Sequence, residues 1–231
     1  MRADSAHLPT IVFDLDGTLA DTAPDLIAIL NVILEQEGVA PISVDRARDV
    51  VGAGARAMIM RGLALSGREV SDQRLGELFR TFLDLYANAL AVETTLFPGA
   101  REAVEALSQA GYRLAVCTNK YTMHSRLLLE ALGLSHHFAA ICGRDSFAWS
   151  KPDARHLTLT IEQAGGNPRH AIMVGDSKTD IDTARNAGLP VIAVTFGYTD
   201  TPVDQLGPDR IIDHFDALMP EIVSLKAASA A

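Results

Sequence analysis

The chain has 231 residues, 48% of them hydrophobic and 21% charged, with a formal net charge of −9 at pH 7. That length holds one ordinary domain, or one domain carrying a smaller insertion, with ample apolar material for a core. The acidity argues against a nucleic-acid partner, and no apolar run approaches the length of a membrane span.

Residues 1–10 lack the apolar centre of a signal peptide, and Cys117 and Cys142 each sit in or beside an apolar stretch as reduced core thiols. The expectation is a soluble, cytoplasmic protein. Ile11-Val12-Phe13 then leads into Asp14-Leu15-Asp16-Gly17-Thr18, a short buried strand ending in acid. Strand alternation points Asp14 and Asp16 the same way, about 6–7 Å apart at most. Gly17 lets the chain turn, and the Thr18 hydroxyl ties the turn together. Two acids in a turn are common, but acids beside a buried strand are costly unless something cationic is bound.

Between 20 and 95 the pattern is all-helical, with no convincing strand. Asp21 or Thr22 caps a helix striped by Leu26, Ile29, Leu30, Ile33 and Leu34 and stopped by Gly38. Ser43 caps a short second helix, a third follows Gly52-Ala53-Gly54, and a fourth runs from about 71 to 92. From Pro98 onward strands alternate with helices, with strands at 112–118, 138–142, 171–174, 190–195 and 210–212. A C-terminal helix follows, and 226–231 has a frayed texture. This alternation predicts an α/β fold, a doubly wound parallel sheet with right-handed crossovers. The helical block is an insertion after the first strand, giving a core of 1–19 and 96–231 and a cap of 20–95. Hinges are expected near Ala20 and at 96–99.

Polar residues at the strand ends fit together. Thr118-Asn119-Lys120 closes the second strand, Lys151-Pro152 follows the third, and Gly175-Asp176-Ser177-Lys178-Thr179-Asp180 closes the fourth. Neighbouring strands would bring Asp14, Asp16, Thr118, Lys151, Asp176 and Asp180 to one edge. Asp176 and Asp180, four apart, share a face if a helix starts there. Carboxylates about 4 Å apart repel by roughly 4 kcal/mol per pair at an effective dielectric near 20, so the cluster needs a cation. Oxygen ligands without a usable Cys or His pair point to Mg²⁺. A metal, a lysine and a hydroxyl donor together make a phosphoryl site.

These four segments, in this order, resemble the four motifs of the haloacid dehalogenase superfamily in its aspartate-based phosphatase branch. The helical insertion after the first motif is similar to that family's small cap, so the implied core is Rossmann-like. The resemblance implies Asp14 as nucleophile, forming an aspartyl phosphate, and Asp16 as general acid and base. It implies Mg²⁺ held by Asp14, the Asp16 backbone carbonyl and Asp176, with Asp180 ordering the site, and phosphoryl oxygens held by Thr118, Asn119 and Lys151.

Gly52-Ala53-Gly54 with Arg56 resembles the Gly-x-Gly loop of phosphoglycolate phosphatases. A helix–helix turn is the plain alternative. The loop's middle residue is often Asn in that family and is Ala53 here. Gly54 and Arg56 are the cap candidates for substrate recognition, with Arg56 suited to a carboxylate. Ala154 stands where the family often has Pro after Lys-Pro-x. The implied substrate is a small phosphate monoester, 2-phosphoglycolate first. A sugar-phosphate phosphatase, a β-phosphoglucomutase-like mutase and a pyrophosphatase use the same machinery. Asp16 argues against the halide-removing branch, and the lack of lysine in 20–95 against phosphonate cleavage. A phospho-acceptor signalling module also clusters acids with Mg²⁺, but it has no counterpart to the helical insertion. A homodimer is left open. His124, His136, His137 and His156 do not form a metal set, Asp182 and Lys178 face solvent, Lys120 caps its loop, and Trp149 packs or lines the pocket mouth.

Overall fold

The computed structural model describes residues 8–52 and 54–229. Ala53, residues 1–7 of the leader reading and the last two residues of the frayed stretch lie outside it. The chain begins as β1 (Thr10–Phe13), fully buried because its Ile, Val and Phe have a sheet neighbour on each side. The remaining long strands are β4 (Arg113–Cys117), β5 (Ala140–Cys142), β6 (Ala171–Gly175), β7 (Val191–Val194) and β8 (Arg210–Ile212).

These six strands form one parallel sheet ordered β5-β4-β1-β6-β7-β8. Numbered among themselves they run 3-2-1-4-5-6, the doubly wound order, which reverses direction beside β1. Alternation then divides the core. Ile11 and Phe13 face α5 (Ala100–Gln109), α6 (Thr122–Ala131) and α9 (Leu218–Ser229). Val12 faces α7 (Ala154–Gln163) and α8 (Lys178–Ala187). Helix α9 runs through Lys226 to Ser229, where the sequence reads as frayed, and Leu218, Ile222 and Leu225 pin it to the sheet.

The inserted block has its own apolar cluster. It comprises α1 (Ala23–Gln36), α2 (Ala47–Val50), α3 (Ala55–Ala64) and α4 (Asp72–Asn88), packed through Leu30, Leu34, Ile59, Leu78 and Phe82. Two details depart from expectation. The block opens and closes on a strand pair, β2 (Ala20–Asp21) against β3 (Thr95–Leu96), too short to carry a periodic signal. Helix α4 stops at Asn88 rather than near 92. The N–H groups of Val92, Glu93 and Thr94 bond instead to the buried Asp25 carboxylate, which also takes the Thr94 hydroxyl. One charged side chain thereby satisfies a whole turn.

Candidate active site

The reversal beside β1 leaves a crevice at the carboxyl edge of the sheet, and the strand ends deliver their polar residues there. The Asp14 N–H donates to Val174 O at 2.9 Å, so the first acid follows directly from the β1–β6 ladder. One carboxylate oxygen from each of Asp14, Asp176 and Asp180 lies within 4.8 Å of the others, all three residues being buried.

Each carboxylate is held differently. Asp176 Oδ2 accepts from the Tyr198 N–H at 2.7 Å, and its Oδ1 from the Thr18 hydroxyl at 3.3 Å. Gly17 and Gly197 flank it so closely that a Cβ on either would fall on the carboxylate, and Gly17 also needs its φ of 81°. Asp180 Oδ2 accepts from the Ser177 hydroxyl at 2.8 Å and from the N–H groups of Ser177 and Asp176. The shared-face reading of Asp176 and Asp180 is thus corrected. Helix α8 starts only at Lys178, and Asp180 reaches back from its first turn to the loop carrying Asp176.

Lys151 lies among these acids. Its Nζ is 2.6 Å from Asp180 Oδ1 and 2.9 Å from Asp14 Oδ1. The Asp14 contact is an ion pair outside hydrogen-bond alignment, so among the described residues no aligned donor reaches that buried oxygen. Lys151 is fixed in turn by His156, whose Nδ1 accepts from the Lys151 N–H at 3.2 Å while Nε2 sits 3.1 Å from Gly143 O. The first contact requires a bare Nδ1, which places the imidazole proton on Nε2.

The electrostatics follow from three acids against one lysine. Burial, opposed by Lys151 and reinforced by Asp180, pushes the Asp14 carboxyl up to about 6. Burial and the neighbouring Asp180 and Asp14 push Asp176 well above the carboxylate range. Burial disfavours the Lys151 ammonium, but Asp14 and Asp180 outweigh it and hold it above its usual range. The site therefore carries more negative than positive charge and offers oxygen ligands only. That set fits a hard divalent cation.

Beside the acids is a cavity of about 50 Å³, lined by Asp14, Asp16, Thr118 and Asn119 from the sheet edge and by Gly52, Gly54, Met58 and Phe82 from the helical block. Thr118 Oγ1 accepts from the Lys120 N–H, which leaves its own proton to donate. The Asn119 amide instead donates to Lys151 O at 3.1 Å and braces that loop. Gly54, at φ 87°, comes so near that a Cβ would lie 3.4 Å from Asn119 O.

Arg56 does not join the cavity. One position beyond the Ala55 that lines it, Arg56 turns about 100° around α3. It lies 3.8 Å from Asp72 with its side chain 44% exposed. Trp149 is likewise outside, stacked under the Arg155 guanidinium at 4.1 Å. Lys178 pairs with Asp182 on the surface.

Lys120 is more than a loop cap, because its Nζ pairs with Asp16 at 2.8 Å and lies 4.4 Å from the centre of the Tyr86 ring. Burial opposes that ammonium and Asp16 outweighs it, so its pKa is raised. Lys120, Tyr86, His124 and Tyr198 are the site residues that sequence reasoning missed. Tyr198 had a signal, since it follows β7 as the other polar residues follow their strands. Tyr86 lies within a stripe of helical apolar spacing that does not distinguish it from core.

Comparison with known proteins agrees with this geometry. Residues 11–194 match the family model described as haloacid dehalogenase-like hydrolase. A phosphoglycolate phosphatase of Mesorhizobium japonicum is 50% identical, over 93% of this chain and 94% of its own length. Another from Agrobacterium fabrum is 49% identical, over 96% and 97%. The crystal structure of a predicted phosphoglycolate phosphatase from Haemophilus somnus superposes with a TM-score of 0.85 at 32% identity, covering 92% of this chain and 97% of that one. The strand order, the acid cluster and these likenesses agree, and the chain belongs to the haloacid dehalogenase-like hydrolase family.

Proposed function

We propose that this protein hydrolyses a small phosphate monoester through a phosphorylated Asp14, with 2-phosphoglycolate as substrate and Mg²⁺ as the metal. The observation that carries the reading is the convergence of Asp14, Asp176 and Asp180 with Lys151 beside a small cavity. The names of the relatives support the substrate, and the oxygen-only donor set supports Mg²⁺.

In this reading an Asp14 oxygen attacks phosphorus and the P–O ester bond breaks, while Asp16 gives its proton to the leaving alkoxide. Asp16 then takes a proton from the water that attacks the phosphorus of the acyl phosphate, releasing phosphate and restoring Asp14. Thr118 donates its free hydroxyl proton to a phosphoryl oxygen, Asn119 offers its backbone, and Lys151 places positive charge behind the attacked group. Asp14, the Asp16 carbonyl and Asp176 would hold the cation, with Asp180 beside them fixing Lys151 and the Asp176 loop. Bound there, the cation offsets the charge of the carboxylates and the phosphoryl group. Residues 20–95 act as a cap that closes the cavity against water, with the β2–β3 pair at its base.

No helix among the described residues is long and apolar enough to cross a membrane. Two buried free thiols suit a reducing, cytoplasmic setting. The test is phosphate release from 2-phosphoglycolate, hexose phosphates, β-glucose 1-phosphate and pyrophosphate, with Mg²⁺ or EDTA. Release concentrated on 2-phosphoglycolate and lost in EDTA is expected. Release spread evenly over the panel rejects the substrate, and metal-independent release rejects the site.

A further inference from the structure

Lys120 and Tyr86 have no role in the chemistry above, yet both line the cavity with Asp14, Asp16 and Thr118. Among the described residues lining it, Lys120 is the only lysine or arginine. Lys151 stands behind Asp14, and Arg56 faces Asp72 outside. His124 adds no fixed charge, since burial and the neighbouring Lys120 hold its imidazole below the usual range. Lys120 Nζ is 2.8 and 3.1 Å from the two Asp16 oxygens and sits over the Tyr86 ring. The Tyr86 hydroxyl is buried beside the Lys120 ammonium, which can engage only its oxygen, and among the described residues nothing accepts its proton. A phenol in that position costs free energy unless something arrives to accept its proton.

We propose that Lys120 and the Tyr86 hydroxyl recognise a carboxylate on the carbon that bears the ester oxygen of the substrate. The inference rests on the phosphatase reading, in which Asp16 touches that ester oxygen. Lys120 touches Asp16, so a charge one carbon from the ester oxygen comes within reach of the ammonium. A carboxylate there accepts from both the ammonium and the phenol. The wall contributed by the helical block opposes a larger polar group. Leu26, Met58, Phe82 and Leu83 are apolar and offer no hydrogen-bond partner to further hydroxyls. A sugar would bring neutral hydroxyls to the cation and strand others against the apolar helices.

The experiment compares 2-phosphoglycolate with ethyl phosphate, of similar size but without the carboxylate, in the wild type, Lys120→Met, Lys120→Arg and Tyr86→Phe, all with Mg²⁺. The readout is the ratio of kcat/KM for the two esters. Lys120→Met is expected to lower that ratio about a hundredfold, mainly through KM, with Lys120→Arg recovering part of it. Tyr86→Phe deletes a hydroxyl whose proton has no acceptor among the described residues, so beyond the contact with Lys120 it removes no structural bond, and about a tenfold fall in the ratio is expected. An equal loss on both esters in Lys120→Met, or an unchanged ratio in Tyr86→Phe, overturns the assignment and leaves Lys120 acting only on Asp16. A wild type with no preference for the carboxylate ester overturns the substrate reading and this inference together. A preference that survives in Lys120→Met overturns this inference alone.

Discussion

The Tyr198 N–H donates to Asp176 Oδ2 at 2.7 Å, and the same residue's hydroxyl donates to Asp21 while accepting from the Ala23 N–H at 3.0 Å. One residue thereby joins an acid of the site to the strand pair and helix start at the base of the helical block. Tyr198→Phe keeps the backbone bond and deletes the link to Asp21. The expected result is a loss of about 1–3 kcal/mol of stability, from removing a partly buried hydrogen bond to a charged group. A severalfold rise in the Mg²⁺ concentration for half-maximal rate should accompany it. Denaturant unfolding and a Mg²⁺ titration of activity measure the two effects.

Gly17 and Gly197 leave room for the Asp176 carboxylate where a Cβ cannot fit. Gly197→Ala should displace that carboxylate and cost at least about a hundredfold in kcat/KM, with a smaller effect on stability. Gly17→Ala adds a left-handed backbone penalty and should also lower the melting temperature. Steady-state kinetics and thermal unfolding separate the two variants.

Without metal, Asp14 should destabilise the fold at neutral pH. Its folded pKa of about 6 lies above the ordinary carboxylate value of 3.8, so the folded state binds more protons across that interval. Stability from this group is therefore lost as pH rises from about 4 to about 6 and stays lost above. The shift corresponds to about 3 kcal/mol. Asp14→Asn in EDTA at pH 7.5 should accordingly be more stable than the wild type, and Mg²⁺ should raise the melting temperature of the wild type more than that of the variant. A destabilised Asp14→Asn in EDTA would contradict the electrostatic account.

His156 has the opposite sign. Burial, with Lys151 nearby, pushes its imidazole down to about 4 from 6.5. The unfolded chain then binds the extra proton, and stability falls as pH drops from about 6.5 to about 4, by about 3 kcal/mol in full. With Mg²⁺ present to offset the acids, urea midpoints between pH 7.5 and 5 should decline in the wild type. They should decline less in His156→Gln, which keeps a donor and an acceptor but does not titrate.

Asp14, Asp16, Thr118 and Asp176 are readable in the sequence because each closely follows an apolar run that forms a strand of one parallel sheet, while Lys151, in the loop beyond β5, and Asp180, in the first turn of α8, follow less directly. Strand ends converge by topology, so their positions required no side-chain detail. Contacts across to the helical block are a different matter. Lys120 follows Thr118 and Asn119 in plain view, but its partner ring is Tyr86, far along the chain on α4, and only the docking of α4 over the sheet edge joins them. Arg56 fails for the converse reason: nothing local fixes the rotation of α3, and one residue's step around a helix separates the cavity from solvent. The β2–β3 pair and the Asp25-bound turn depend on hydrogen bonds between distant segments, which hydrophobic periodicity does not report.

The most direct measurement is an acid quench of Mg²⁺-loaded protein mixed with excess 2-phosphoglycolate, followed by peptide mapping by mass spectrometry. A phosphoryl group on the peptide containing Asp14, absent from Asp14→Asn and from protein in EDTA, is the predicted result. Rapid phosphate release with Asp14 unmodified, or turnover retained in Asp14→Asn, would contradict it.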